Sequence, residues 1–303
     1  MIVVDSIIHV NLFSCILTKD LRYFYMNDIN GNYVIIIMVM MMKKLKGKKV
    51  LITGASGGIG AAIAELVANR GGHPIMVARS EDKLKALVHA IEHQGGSAEY
   101  YVADVTNQSE WDEVLQTISE KHPVLDGLVN NAGLGRFSFF EQMKWAEIEQ
   151  MIQLNIQALL YTTHVCLPLL KKAPVSHIVN IGSQAGKIAT PKSAVYSGTK
   201  ANVISYSHAL RMELKQESIY VTSVNLGPVA TDFFELADPE GSYQKNISKF
   251  MLDRYKVANR VVDSLLTPKR EINMPSWMNV GAKCYQMFPR LMEKVLHRAF
   301  QQK

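Results

Sequence analysis

Tyr196 and Lys200 stand four residues apart in the stretch Tyr196-Ser197-Gly198-Thr199-Lys200. On a helix that spacing puts both side chains on one face. A free phenol has a pKa of about 10, too high for good proton transfer at neutral pH. An ammonium beside it favours the phenolate and lowers that value. Alone the pair is weak evidence, because chance pairs on helix surfaces are frequent. Ser183 lies upstream, just past the apolar run Ile178-Val179-Asn180-Ile181. Asn155 falls inside a helical apolar stripe of Ile148, Met151, Ile152, Ile156, Leu159 and Leu160. A buried amide must find partners, and a satisfied core asparagine meets that demand as well as a working one does.

A second constellation is Thr53-Gly54-Ala55-Ser56-Gly57-Gly58-Ile59-Gly60, between a short apolar run and an amphipathic segment. Glycines there permit positive φ and let backbone N–H groups approach a pyrophosphate, which the positive end of the following helix also attracts. A tight turn with no ligand would use glycines too, but placement between a buried strand and a helix favours phosphate binding.

The elements that must carry these residues alternate regularly from Lys49 onward. Val50-Leu51-Ile52, 74–78, 98–103, 125–130, 176–181 and 220–226 read as strands. Helical patterns at 59–67, 81–94, 109–122, 145–170 and 193–217 separate them. Strands alternating with helices imply parallel pairing through right-handed crossovers, hence an α/β, doubly wound parallel sheet with helices on both faces. Ligands bind such a sheet beyond the carboxyl ends of its strands, and every constellation above follows a strand on that edge. No repeat, linker or boundary interrupts 43–303, which predicts a single domain over 43–274 and a tail over 275–303.

The spacing from Gly54 to Gly58 to Gly60 resembles the short-chain dehydrogenase/reductase family, and the resemblance extends over roughly residues 48–226. The interval from Ser183 to Tyr196 matches it, as do Asp104-Val105 after the third strand and Asn131-Ala132-Gly133 after the fourth. The resemblance implies a Rossmann-type fold and an oxidoreductase that interconverts a carbonyl and a secondary alcohol by hydride transfer. Tyr196 would act as acid and base, Ser183 would hold the substrate oxygen, and Lys200 would tune Tyr196 and grip the nicotinamide ribose. Asn155 would hold a water in a proton relay. Gly54, Ser56, Gly58, Ile59, Gly60, Asp104, Val105, Asn131, Ala132 and Gly133 would hold the cofactor, Asp104 at the adenine. After the sixth strand, backbone near Val229 and the Thr231 hydroxyl would hold the carboxamide and phosphates. The family often has Pro-Gly where this chain has Leu226-Gly227, which loosens the inference for that segment.

The second strand ends Val77-Ala78-Arg79-Ser80. A guanidinium there can stack on adenine and pair with a 2′-phosphate, where an acidic residue would serve the 2′-OH of NAD. The expected cofactor is therefore NADP(H), unless Arg79 only caps the surface. Within enzymes the alternative is a 3-oxoacyl-carrier-protein reductase. Outside them it is a catalytically idle, NADPH-sensing scaffold.

Composition agrees with a globular protein: 303 residues, 48% hydrophobic and 20% charged, which excludes collagen-like, low-complexity and mostly disordered chains. The net charge of +6 comes from the ends, with +5 over 43–49 and +5 over 269–303 against −3 over 50–268. These ends are either solvated or suited to an acidic membrane surface or a phosphorylated ligand. Nothing else points to nucleic acid. Cys15, Cys166 and Cys284 are sparse and far apart, with no zinc-type spacing, so no metal is expected and a reducing, cytoplasmic setting is.

Residues 1–42 show no regular period and lack a secretory pattern, and their apolar run from Tyr33 to Met42 is too short to cross a bilayer. They read as an extension outside the fold, with the working protein starting at Met40–Met42, or else as an interfacial anchor. Residues 233–252 suggest a lid that, with Phe137 and 184–188, makes a partly apolar pocket or simply packs on the body. Arg136 either meets an anionic substrate or sits in an exposed loop. The tail 275–303 is basic and amphipathic, suited to packing on the body or a partner, or to peripheral membrane contact. The resemblance further implies a homodimer or homotetramer through the two long helices.

Overall fold

The computed structural model describes residues 12–18, 21–26 and 45–295. The apolar run Tyr33–Met42, the candidate start sites within it, Lys43-Lys44 and residues 296–303 lie outside them. Strands β1 (Leu12–Thr18) and β2 (Leu21–Met26) pair antiparallel in a sheet of their own. The sequence showed no strand period there. Its alternation is broken by Ser14-Cys15 in β1, and the register shifts between Leu12 and Cys15.

The main sheet has seven parallel strands in the order β5-β4-β3-β6-β7-β8-β9. They are β3 (Lys49–Thr53), β4 (His73–Ala78), β5 (Glu99–Val102), β6 (Gly127–Asn130), β7 (Ser176–Ser183), β8 (Ile219–Leu226) and β9 (Glu271–Met274). Six were expected. The seventh, Glu271-Ile272-Asn273-Met274, sits at the sheet edge and buries one residue in four, so it leaves no apolar run to read.

Side chains of successive strand residues point to opposite faces. Val50 and Ile52 therefore enter one core layer with α1 (Gly58–Asn69), α2 (Glu81–His93) and α9 (Arg254–Ser264). Leu51 enters the other with α3 (Gln108–Lys121), α5 (Leu159–Lys171) and α6 (Ala194–Glu213). The helix expected over 145–170 is instead α4 (Trp145–Ile152), a π-helical segment Gln153–Ala158 containing Asn155, and α5.

After β8 come the short helices α7 (Phe233–Ala237) and α8 (Ser242–Ile247). After β9 the chain forms α10 (Ser276–Met287) and α11 (Pro289–Val295). Strand order reverses between β3 and β6, which opens a crevice at their carboxyl ends.

Candidate active site

The glycine loop leaves β3 at that crevice. Gly54 and Gly58 have φ of +66° and +55°, where a side chain would be strained. A Cβ on Gly60 would stand 2.3 Å from the Gly54 carbonyl oxygen, so only glycine allows α1 to start this close to β3. The first turn of α1 contains no acidic residue and its N-cap, Gly57, supplies no side-chain hydrogen bond. An uncapped N-terminus behind a loop of positive φ suits a bound phosphate oxygen. Ile59 instead packs its side chain against the core.

Asn131 and Ala132 fix the loop from β6. The Asn131 side-chain amide donates to the carbonyls of Thr53 and Gly54, both at 3.0 Å. The Thr53 hydroxyl accepts from the backbone N–H of Asn131 and of Ala132, both at 3.1 Å. Thr53 is thus a positioning residue that the sequence reading passed over, although it adjoins the first glycine. On the other side, a Cβ on Gly58 would meet Thr231 Cγ2 at 3.3 Å. The Val229–Thr231 segment therefore lies directly against the glycine loop, held by a bridge between Val229 and Leu252. Leu226 is the last residue of β8 and lies in register with both Ser183 and Met274.

Arg79 directly follows β4, with its side chain 76% exposed and Nη1 3.6 Å from Asp104 Oδ2. Asp104 accepts from the Thr106 N–H at 2.9 Å and from its hydroxyl at 2.7 Å. Burial alone would raise the Asp104 pKa, but these bonds and Arg79 outweigh it and hold the carboxyl below its usual value. Val105 is buried beside Asp104. Ser56 lies in the glycine loop, partly exposed.

The catalytic candidates converge from three elements. Ser183 ends β7, and its hydroxyl donates to the Leu226 carbonyl at 3.3 Å and accepts from the Ala185 N–H at 3.1 Å. It lies close enough to the Tyr196 phenol to oppose the effect of burial on it. Lys200 Nζ donates to the Ile181 carbonyl at 2.9 Å and lies 6.0 Å from the centre of the Tyr196 ring.

Burial pushes the Tyr196 phenol up to about 12, against the opposing effect of Ser183. Burial also brings Lys200 down to about 8. The net shift of the phenol is thus upward, not the lowering expected from the ammonium alone. Removal from water dominates both groups, and at neutral pH the tyrosine is a protonated acid.

Asn155 has the partners of a satisfied core amide. Its Nδ2 donates to the Leu134 carbonyl at 2.8 Å and to the Thr199 hydroxyl at 3.0 Å, and its Oδ1 accepts from the Leu134 N–H at 2.9 Å. A Cβ on Gly133 would find Asn155 Oδ1 at 3.2 Å and Lys200 Nζ at 3.3 Å, so both atoms face one point beside that glycine. Thr199, also missed in the sequence, donates to the Tyr196 carbonyl at 2.8 Å.

An aromatic cluster covers the phenol. Phe137 lies edge-on to Tyr196 with ring centres 5.7 Å apart, and Phe233 lies 5.8 Å from it. The expected lid therefore packs on the catalytic tyrosine candidate. Arg136 donates to the Leu236 carbonyl at 2.5 Å, which ties the β6 loop to α7.

Lys187, past Ser183, donates to Glu271 Oε2 at 2.6 Å and to the side-chain oxygens of Asn273 and Asn279, both at 2.8 Å. It joins the serine loop to β9 and α10, a link with no sequence signal. A cluster of His73, Glu99 and His122 lies at the opposite end of the strands, where Glu99 also pairs with Lys121.

Comparison with known proteins gives the same frame. The short chain dehydrogenase family profile matches residues 48–240. An uncharacterized oxidoreductase of Staphylococcus saprophyticus is 37% identical over 191 residues, covering 63% of this chain and 82% of the relative. One of Staphylococcus aureus (strain N315) is 32% identical over 228 residues, 75% of this chain and 95% of the relative. Two solved structures share the fold. A 3-ketoacyl-(acyl-carrier-protein) reductase from Brucella melitensis complexed with NADH has a TM-score of 0.69 at 24% identity, covering 76% of this chain and 98% of that one. An L-sorbose reductase from Gluconobacter frateurii complexed with NADPH and L-sorbose has a TM-score of 0.68 at 22% identity, covering 77% and 96%.

Proposed function

The chain belongs to the short chain dehydrogenase family, and on that premise we propose that it is an NADP(H)-dependent oxidoreductase interconverting a small-molecule carbonyl and its secondary alcohol. The observation that carries this reading is the meeting of Tyr196, Ser183 and Lys200 beside the crevice between β3 and β6. When bound, the dinucleotide supplies the hydride that reaches the carbonyl carbon.

The chain's own groups do the rest. Gly54, Gly58 and Gly60 let backbone N–H groups approach the pyrophosphate, while Asn131 and Ala132 hold that loop from β6 and Gly133 lies beside Asn155 and Lys200. Tyr196, protonated at neutral pH, gives its phenolic proton to the carbonyl oxygen, while Ser183 holds that oxygen by a hydrogen bond. Lys200 stabilises the phenolate left behind and grips the ribose. Asn155 Oδ1 has one lone pair unspent by Leu134 and faces the point that Lys200 also faces, so a water there can return the proton. Tyr196 works as the base in the reverse reaction.

Arg79 favours NADP(H): it is an exposed cation at the end of β4, where an acidic residue would repel a 2′-phosphate. Asp104 sits beside it for the adenine, and Val229 and Thr231 close the far side. A cytoplasmic setting and a homodimer or homotetramer complete the reading. Among the described residues no helix is long and apolar enough to cross a membrane.

The test is dinucleotide-dependent turnover across short alcohols, hydroxy acids and sterols, in both directions and with both dinucleotides. Turnover with NADP(H) on one of these classes is the expected result. Tight NADPH binding without turnover on any would favour the sensing scaffold.

A further inference from the structure

Helix α10 has two apolar faces, and the body uses only one. Its inner face is pinned at three points. Met278 lies against Gly227, where a Cβ would come within 2.8 Å of the sulfur. Asn279 accepts from Lys187, and Ala282 is 1% exposed. At about 100° per residue, Trp277, Val280, Cys284 and Met287 fall on a stripe roughly 80° wide on the other side of the helix. Trp277, Val280 and Met287 are 59%, 62% and 68% exposed, and Phe288, Leu291 and Val295 extend the surface through α11 at 57–68%. The tail thus packs Met278 and Ala282 on the body, while Trp277, Val280, Met287, Phe288, Leu291 and Val295 stay exposed.

The surface around them is basic. Lys283, Arg290 and Lys294 form no ion pair among the described residues, while the single acid of these helices, Glu293, accepts from Tyr285 at 2.9 Å. Sequence 275–303 carries five basic residues against that one glutamate. A symmetric contact with a second copy would bring this charge onto itself. An anionic lipid surface compensates it and takes up the apolar stripe. Phe140, Trp145, Leu236 and Phe250, in the segments after β6 and β8, are likewise exposed. We propose that α10 and α11 form a peripheral docking surface for an anionic lipid bilayer.

The test is sedimentation of the full chain with vesicles of phosphatidylcholine containing about 30% phosphatidylserine, against pure phosphatidylcholine, at low and high salt. Binding at least about tenfold stronger to the anionic vesicles, and weakened by salt, is expected. The double variant Leu291→Glu with Val295→Glu should lose about tenfold or more, as should Lys283→Glu with Lys294→Glu. These residues are exposed, so an unchanged melting temperature separates lost docking from lost folding. Absence of vesicle binding, equal binding to both vesicles, or full binding by both double variants overturns the proposal. So does a stable dimer split by the apolar variant with no vesicle binding, which would assign the face to a second copy. The readout involves no turnover, so its failure is distinct from failure of the redox reading.

Discussion

Asn155 holds Thr199, the residue next to Lys200: its side-chain amide donates to the Thr199 hydroxyl at 3.0 Å, and that hydroxyl donates to the Tyr196 carbonyl at 2.8 Å. The π-helical segment is thereby fastened to the turn that presents both the phenol and the ammonium. Asn155→Ala would strand the Leu134 backbone and loosen Thr199 at once. A loss of about 2–4 kcal/mol in unfolding free energy is expected, with a fall in kcat. Thr199→Val keeps the Leu134 bonds and should cost about 1 kcal/mol. Denaturant unfolding beside turnover measures this. A fall in kcat on Asn155→Ala with stability untouched would assign the residue to proton relay alone.

Tyr196→Phe removes the phenolic proton and leaves the dinucleotide cradle whole. A fall in kcat of about 100-fold to 10,000-fold is expected, with dinucleotide affinity changed less than about twofold. The pH profile follows from the same pair. With Tyr196 near 12 and Lys200 near 8, carbonyl reduction should be level through neutral pH and decline above about 8 as the ammonium is lost. Alcohol oxidation, which releases a proton, should gain relative to reduction as pH rises. A reduction rate that climbs steadily above pH 8 would contradict the assignment.

Arg79→Asp should weaken NADPH binding by about 10- to 100-fold, as a charge-assisted contact is replaced by repulsion. NADH affinity should change less than about threefold. Fluorescence titration of both dinucleotides decides it, and equal losses would remove Arg79 from 2′-phosphate recognition.

Glu99 governs acid stability. Burial alone would raise its pKa, but the nearby His73 and hydrogen bonds from Lys121 and His122 hold it at about 2, below the usual 4.5. A depressed carboxylate contributes stability that is whole above pH 4.5 and lost as pH falls toward 2. Burial lowers the His122 pKa, so acidification also forces a charge onto a buried ring. The melting temperature should fall below about pH 6.5 and more steeply below 4.5. Glu99→Gln should lower stability at neutral pH by about 1–3 kcal/mol and flatten the acid limb. An unchanged acid limb in that variant would place the sensitivity elsewhere.

The sequence made the buried strands legible because parallel strands read as continuous apolar runs, and it placed the glycine loop, Ser183 and Tyr196 on one edge. β9 escaped because an edge strand needs only Ile272 for the core, and Glu271 and Asn273 serve Lys187 instead. The π-helical segment around Asn155 escaped because its apolar spacing differs too little from that of an α-helix. Thr53, Thr199 and Lys187 escaped because they act through partners 44 to 92 residues away or through backbone, which no local spacing records. The pKa order of Tyr196 and Lys200 escaped because it depends on exclusion of water, which a four-residue interval does not reveal.

Ser183, Leu226 and Met274 are lateral neighbours at the ends of β7, β8 and β9. Side chains alternate between faces with a period of two, so deleting one residue from any of these strands would turn its terminal side chain to the wrong layer and drag the next loop with it. Changes of chain length in this scaffold are therefore absorbed by the loops beyond that ledge rather than by the strands beneath it.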